Sequence, residues 1–418
     1  MANVVEACPQ PVHHGEDRPT LLVLASTYPR WRNDPEPGFI HELSRRLTPW
    51  FRVKVLCPHA AGATALETMD GVEILRYRYA PPWLERLVND GGITTNVRRH
   101  RWMLLLIPGF LLSQMFQLWR LLRRDAPAVI HAHWIVPQAL SVALVVRLLR
   151  QKPPCLVTSH GADLFALNGR AWERIKRWTL RRVQGWSVVS TAMHDPMAAL
   201  GVPRNAIRVA PMGVDLAGRF LPDPAVARLT HDLLFVGRLV EKKGLKHLLD
   251  ALPHVLRRHP GTRLTIVGFG PERDACERQV AALGLASCVR FAGATAQDQL
   301  PHYYRRSALL VAPFVQAVSG DQEGLGLVMV EALGCGCPVV TTRLPAVLEL
   351  QGGRWPPYVA PPADPVALAE QINLALDDPA TARDWAASMR TSLVERFDHA
   401  AVAARYAGQL QSLMRVHG

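Results

Sequence analysis

Twice along this chain, apolar runs of four to seven residues alternate with stretches of helical periodicity, and that rhythm leaves few folds open. The first series holds Thr20–Ser26, Phe51–Cys57, Ala128–His131, Cys155–Ser159, Trp186–Ser190 and Ile207–Ala210. Helical patterns such as Gly38–Leu47, Pro137–Leu149 and Trp172–Val183 lie between most of them. Runs this short and apolar suit strands buried on both faces, so the alternation predicts an α/β fold with a parallel sheet covered by helices on each side. The second series holds Leu233–Arg238, Arg263–Val267, Val289–Ala292, Leu309–Ala312 and Val339–Thr342, with helices over Leu245–Arg258, Glu272–Leu283, Gln297–Arg305, Val366–Leu376 and Thr381–Arg396. A chain of 418 residues exceeds what one core supports, which fits two doubly wound domains. The expected layout is a mobile tail over 1–19, a first domain over 20–215 and a proline-bearing linker over 216–232. A second domain follows over 233–397, and a last helix over 398–418.

Lysine and arginine exceed aspartate and glutamate by 48 to 35, and a formal charge of +13 favours anionic partners. Seven cysteines without a C-x-x-C pair speak against a disulfide framework or a structural zinc site. Residues 1–19 contain three acidic residues and no apolar core of a secretion signal, so a cytoplasmic location is expected. The segment from Arg98 to Arg124 is the exception to an otherwise ordinary surface. Basic residues flank an apolar run from Trp102 to Trp119 that Pro108-Gly109 interrupts. It reads as a broken helical pair, either a core-facing one or one that rests peripherally on an anionic membrane surface.

The chemistry is concentrated in the second series. Glu323-Gly-Leu-Gly-Leu-Val-Met-Val-Glu331 follows the strand-like Leu309–Ala312 and opens a helix. Glycines at such a junction let backbone N–H groups approach a ligand, and the helix tip favours an anion such as a diphosphate. Glu323 on the loop and Glu331 inside the helix can then accept hydroxyls at two points of one ligand. Upstream, Arg238 ends a strand and Lys243 precedes Gly244 and a helix, so the pair can clamp a diphosphate. Gly268-Phe-Gly270-Pro opens like a dinucleotide fingerprint, but Arg273 stands where the third glycine would be. A nucleotide-facing loop fits better than a nicotinamide site. No Asp-x-Asp element is present, and Arg238, Lys243 and the helix dipole can replace a divalent ion, so no metal is expected.

The Glu-x7-Glu run resembles that of the family-4 retaining glycosyltransferases of GT-B architecture. Phe235-Val-Gly-Arg-Leu239, Glu241-Lys-Lys-Gly-Leu245, Val267-Gly-Phe-Gly-Pro-Glu272, Met212-Gly-Val-Asp215 and Thr158-Ser-His-Gly-Ala-Asp163 match further landmarks in the family's order. The resemblance spans most of the chain from about Leu21. It implies two Rossmann-like domains facing across a cleft, and transfer of a hexose-type sugar, with retention, from a nucleoside-diphosphate donor to a glycan or lipid-linked acceptor. It further implies that Arg238 and Lys243 contact donor phosphates, Glu323 the sugar hydroxyls and Glu331 the ribose. Gly268, Gly270, Gly324, Leu325, Gly326 and Leu327 then line the donor, Gly38 belongs to a glycine loop near diphosphate and acceptor, and His160 lies beside the reacting carbon. Thr27, Tyr28 and Arg30 would shape the acceptor side.

His131 and His133 have the spacing of a metal pair on a strand, but no third ligand is evident, and a lining or structural role is expected. One departure stands out: after Val339-Val-Thr-Thr342 the family's glycine pair is replaced by Arg343-Leu-Pro-Ala-Val-Leu-Glu349. Rival readings are a nucleotide-sugar epimerase or another enzyme on the same scaffold, and a basic protein that binds membranes or nucleic acid. Arginines scattered over both halves, without a nucleic-acid module, argue against nucleic acid.

Overall fold

A computed structural model describes residues 18–417 except 33, 35–37, 90–91 and 353–354. Most of the expected tail, residues 1–17, lies outside the described residues, as does the proline-rich loop before Gly38. The chain divides into two compact units. One comprises 1–189, 194–213 and 399–418, and the other 190–193 and 214–398.

The first unit is built on an eight-stranded sheet in the order β3-β4-β2-β1-β5-β6-β7-β8. Its strands are β1 (Thr20–Leu24), β2 (Arg52–Pro58), β3 (Leu66–Met69), β4 (Val72–Tyr77), β5 (Val129–His133), β6 (Cys155–Ser159), β7 (Gly185–Val188) and β8 (Ile207–Val209). All neighbours run parallel except the hairpin pair β3–β4. Every residue of β5 and β6 is buried, as a central parallel strand requires. The helix His399–His417 belongs to this unit. It buries Val402, Tyr406 and Leu410, and the Tyr406 hydroxyl donates to the Ala210 carbonyl at 2.7 Å.

The segment around Pro108 departs from expectation. A short helix, Ile93–Arg99, and a tight turn, Arg101–Leu105, lead into one continuous helix, Leu106–Asp125. Pro108 does not break it because it falls in the first turn, where a backbone N–H has no helical acceptor to lose. The break lies at His100, whose backbone is extended.

The second unit carries a six-stranded, all-parallel sheet in the order β11-β10-β9-β12-β13-β14. These are β9 (Asp232–Val236), β10 (Arg263–Val267), β11 (Val289–Gly293), β12 (Leu309–Ala312), β13 (Val339–Thr342) and β14 (Val359–Ala360). Leu248, Leu252 and Val255 of the helix Leu245–Arg258 pack with Leu368 and Ile372 over β9, β10 and β12 in one core. The segment read as a linker, 216–232, is instead packed into this unit. Leu216 and Phe220 are buried, and Arg228 donates to the carbonyls of Tyr304 and Gly336. Proline content gave it the look of a linker, but its two large apolar side chains give it a place in the core.

Candidate functional site

The second unit gathers the candidate donor residues at the carboxyl ends of β9, β10 and β12. Two glycines allow the loops to close on one another. A Cβ on Gly268 (φ +144°) would sit 1.8 Å from the Gly237 carbonyl oxygen, and one on Gly244 (φ +69°) 1.8 Å from that of Pro313. No side chain fits either place. The loop through Gly268 and Gly270 is thereby laid along 237–239, with Gly237 N–H on Val267 O and Leu239 N–H on Phe269 O.

Lys243 closes the turn after β9, its stem beside Gly237 and its ammonium 4.9 Å above the Phe314 ring. Its Nζ lies 2.8 Å from Glu323 Oε2, while Gly326 N–H donates to Glu323 Oε1 at 3.1 Å. Burial pushes the Glu323 carboxyl up, but the charges of Lys243 and Lys242 with these hydrogen bonds outweigh it and hold the pKa at about 2. Lys242 turns away to Asp321, 3.2 Å distant, as a neighbour of the site rather than a member. The half-buried Arg238 guanidinium has no hydrogen bond or ion pair among the described residues.

Gly324, Leu325 and Gly326 are buried, and the helix Leu327–Gly334 begins directly after them. The N–H groups of Leu325, Leu327 and Val328 have no acceptor among the described residues. Because the Leu325 side chain is packed inside, the loop offers a ligand its backbone and little else. Three such donors at a helix tip, beside the Lys243 ammonium that Glu323 holds, form a place for an anion. Glu331, the fifth residue of that helix, is buried and accepts from the Tyr304 hydroxyl at 2.7 Å. Burial raises its carboxyl above the usual range against the opposing pull of Tyr304 and Lys243. Lys243 therefore acts on both carboxylates, and the structure brings Lys243, Glu323 and Glu331 together. Tyr304 was missed by sequence reasoning, since no motif surrounds it.

The first unit carries the other candidates. His160 follows β6, and its Nε2 lies 2.9 Å from His133 Nδ1 at the end of β5. His131 Nε2 is 2.8 Å from Thr158 Oγ1. Among the described residues no group of three or more metal-ligating side chains occurs, so His131 and His133 are packing partners here. Burial drives His131 and His160 down to about 3 and His133 well below its ordinary value, leaving three neutral imidazoles at neutral pH. Asp163 fixes the loop that carries His160: Ser159 Oγ donates to it at 2.6 Å and Ile135 N–H at 2.7 Å. The Phe39 ring, 5.2 Å from that of His160, brings the start of the first helix, and with it Gly38, to the same place. Among the described residues nothing lies within 4 Å of where a Gly38 Cβ would be, so their packing does not demand this glycine. Tyr28 is turned into the core, its hydroxyl 2.8 Å from His41 Nδ1, and Arg30 is bound to Asp34 through two nitrogens. Neither is free to shape an acceptor site in this arrangement.

The atypical loop after β13 has its own anchor in the second unit. Glu349 accepts from Thr191 N–H and Oγ1 at 2.8 and 2.9 Å and pairs with Arg396 at 2.8 Å.

Comparison with known proteins bears on the family and the fold. Residues 39–217 match the model described as Glycosyltransferase Family 4, and residues 230–378 match that of Glycosyl transferases group 1. The chain is 31% identical over 291 residues to a glycogen synthase of Mycobacterium tuberculosis, covering 66% of this chain and 67% of the relative. It is 33% identical over 202 residues to a GDP-mannose-dependent α-(1-6)-phosphatidylinositol monomannoside mannosyltransferase of Mycolicibacterium smegmatis. That match covers 45% of this chain and only 52% of the mannosyltransferase. Sucrose-phosphate synthase from Thermosynechococcus elongatus superposes with a TM-score of 0.73 over 96% of this chain and 100% of its own, at 20% identity. That likeness concerns the fold.

Proposed function

The chain belongs to glycosyltransferase family 4, and from that premise we propose that it transfers a hexose-type sugar, with retention, from a nucleoside-diphosphate donor to a hydroxyl of a glycan or lipid-linked saccharide. The observation that supports this reading is the loop in the second unit: Lys243 in contact with Glu323, and three N–H groups at a helix tip that, like Arg238 just after β9, have no partner among the described residues. An anionic leaving group is what such a set of donors stabilises.

In the proposed reaction the bond from the sugar's anomeric carbon to the phosphate oxygen breaks, and its electron pair stays with the diphosphate. Arg238, Lys243 and the helix tip offset the charge that grows there, so no divalent ion is required. The acceptor oxygen bonds to the same face of the anomeric carbon, and its proton passes to the departing phosphate. Glu323, ionised at neutral pH, accepts sugar hydroxyls, and Glu331 accepts from the ribose. His160 contributes a neutral imidazole to hydrogen bonds with sugar or acceptor.

Thermal stabilisation by a panel of sugar nucleotides, GDP-mannose and UDP-glucose included, tests the donor class, because a ligand of the native state raises the melting point. Stabilisation should exceed that given by the free sugar, and transfer should continue in excess EDTA. No response to any nucleoside-diphosphate sugar would remove the reading. An isomerised sugar nucleotide formed from donor alone would favour an epimerase.

A further inference from the structure

The helix Leu106–Asp125 presents two unlike faces. Leu106, Phe110, Gln114, Leu118 and Leu122 are buried against the sheet of the first unit, at the spacing of one helical stripe. The opposite stripe, Leu105, Leu112 and Phe116, is 81%, 64% and 56% exposed, and Trp102 in the turn before it is 45% exposed. Scattered apolar residues at a surface are ordinary, but these are aligned along one edge.

The charges around the stripe are of one sign. Residues 93–124 contain six arginines and no aspartate or glutamate. Arg98, Arg99 and Arg101 stand exposed at one end, and Arg120, Arg123 and Arg124 at the other. Only Arg124 has an ion pair among the described residues, with Asp125. Arg120 and Arg123 lie over the rings of Phe116 and Trp119, 6.0 and 5.1 Å from their centroids, so their charges are held beside the apolar stripe.

We propose that this face docks on an anionic lipid bilayer, with the stripe in the acyl boundary and the arginines at the headgroups. An apolar stripe between two basic ends, without acid, matches a negatively charged apolar interface in both respects. Arg101–Asp125 is long and apolar enough to cross a membrane, but its other stripe is already committed to the fold. Gln114, for instance, is buried and accepts from the Tyr77 hydroxyl at 3.3 Å. The helix therefore lies in the surface of the bilayer and does not cross it.

Sedimentation of the full chain with phosphatidylcholine vesicles, with and without phosphatidylglycerol, tests the proposal without reference to catalysis. Binding is expected only with phosphatidylglycerol and should weaken as salt is raised. Replacing Leu105 and Leu112 by glutamate should lower partitioning by about tenfold or more for each leucine. Replacing Arg98, Arg99 and Arg101 by glutamine should lower it by about fivefold for each arginine. All five side chains are exposed, so melting temperatures should stay near that of the wild type. Equal binding to both kinds of vesicle, or to neither, overturns the proposal. A dimer in vesicle-free solution that the leucine variants abolish, with no vesicle binding, would assign the face to a second copy of the chain and overturn it as well.

Discussion

Lys243 Nζ and Glu323 Oε2 lie 2.8 Å apart, so a cation suited to phosphate is held by a carboxylate suited to a sugar. Each is half-satisfied by the other. Glu323→Gln keeps an acceptor for Gly326 N–H but removes the charge that competes with phosphate for Lys243. Affinity for the bare nucleoside diphosphate should stay level or rise, while transfer falls by about 10²-fold because a contact to the sugar is lost. Calorimetry of the diphosphate beside steady-state kinetics separates the two. Equal losses in both would make Glu323 a scaffold residue only.

Arg238 and Lys243 should differ in what their removal costs the fold. Arg238→Ala deletes a guanidinium without a partner among the described residues, so stability should move by no more than about 0.5 kcal/mol. Lys243→Ala strands a largely buried carboxylate and should cost up to about 3 kcal/mol. Turnover should fall by about 10²-fold in both. Urea titration with an activity assay checks the pair. An unstable Arg238→Ala protein with full activity would reverse the assignment.

Glu331 resists ionisation because it is buried, and the Tyr304 hydroxyl supplies its hydrogen bond. Glu331→Gln keeps that bond and removes a buried charge, so stability should change by less than about 1 kcal/mol. Donor affinity should fall by about tenfold, since a charged acceptor binds a ribose hydroxyl more strongly than an amide does. An unchanged donor Kd in a folded variant would take Glu331 out of the site.

Acid should weaken the first unit before its carboxylates titrate. Burial holds His131 and His160 at about 3 and His133 well below its ordinary value, whereas an unfolded imidazole titrates near 6.5. Below that value the unfolded chain binds more protons, so stability falls with pH by about 1.4 kcal/mol per unit for each site. Above it these groups cost nothing. The depressed pKa of Glu323, about 2, acts in the same direction but only below the ordinary carboxylate range. Denaturant midpoints should stay level from pH 7.5 to about 6.5 and then drop towards pH 5. A flat profile in that window would mean that the imidazoles are hydrated.

The parallel strands were legible because burial on both faces writes them as unbroken apolar runs. β6, β10, β12 and β13 coincide with the runs Cys155–Ser159, Arg263–Val267, Leu309–Ala312 and Val339–Thr342. β3 and β4 were missed although Asp70-Gly71 between them is a hairpin signal. β3 lies at the sheet edge and buries only Met69 of its four residues, so no apolar run announces it. The glycine-loop-to-helix junction at 323–331 and the cationic turn at 238–243 could be read from residue order. Tyr304 could not, because its partnership with Glu331 is made by tertiary packing across 27 positions. Nor could the lack of a partner for Arg238 among the described residues, which depends on what the folded surroundings withhold.

The terminal helix offers a last test of how the first unit is held. Tyr406 is fully buried, its ring is 5.3 Å from that of His131, and its hydroxyl reaches the Ala210 carbonyl just after β8. Two turns further, Leu413 lies so near Gly185 that a Cβ there would meet it at 2.6 Å. A helix distant from the rest of its unit in sequence order, His399–His417, is thus held at its middle and near its last turn. Tyr406→Phe should cost about 1–2 kcal/mol, the price of an unpaired buried carbonyl. Tyr406→Ala should cost about 3–5 kcal/mol by leaving a cavity beside the histidines. If the helix were only a loosely attached tail, both substitutions would leave the denaturant midpoint where it is, and hydrogen exchange in Ala400–Leu410 would be as fast as in a free peptide.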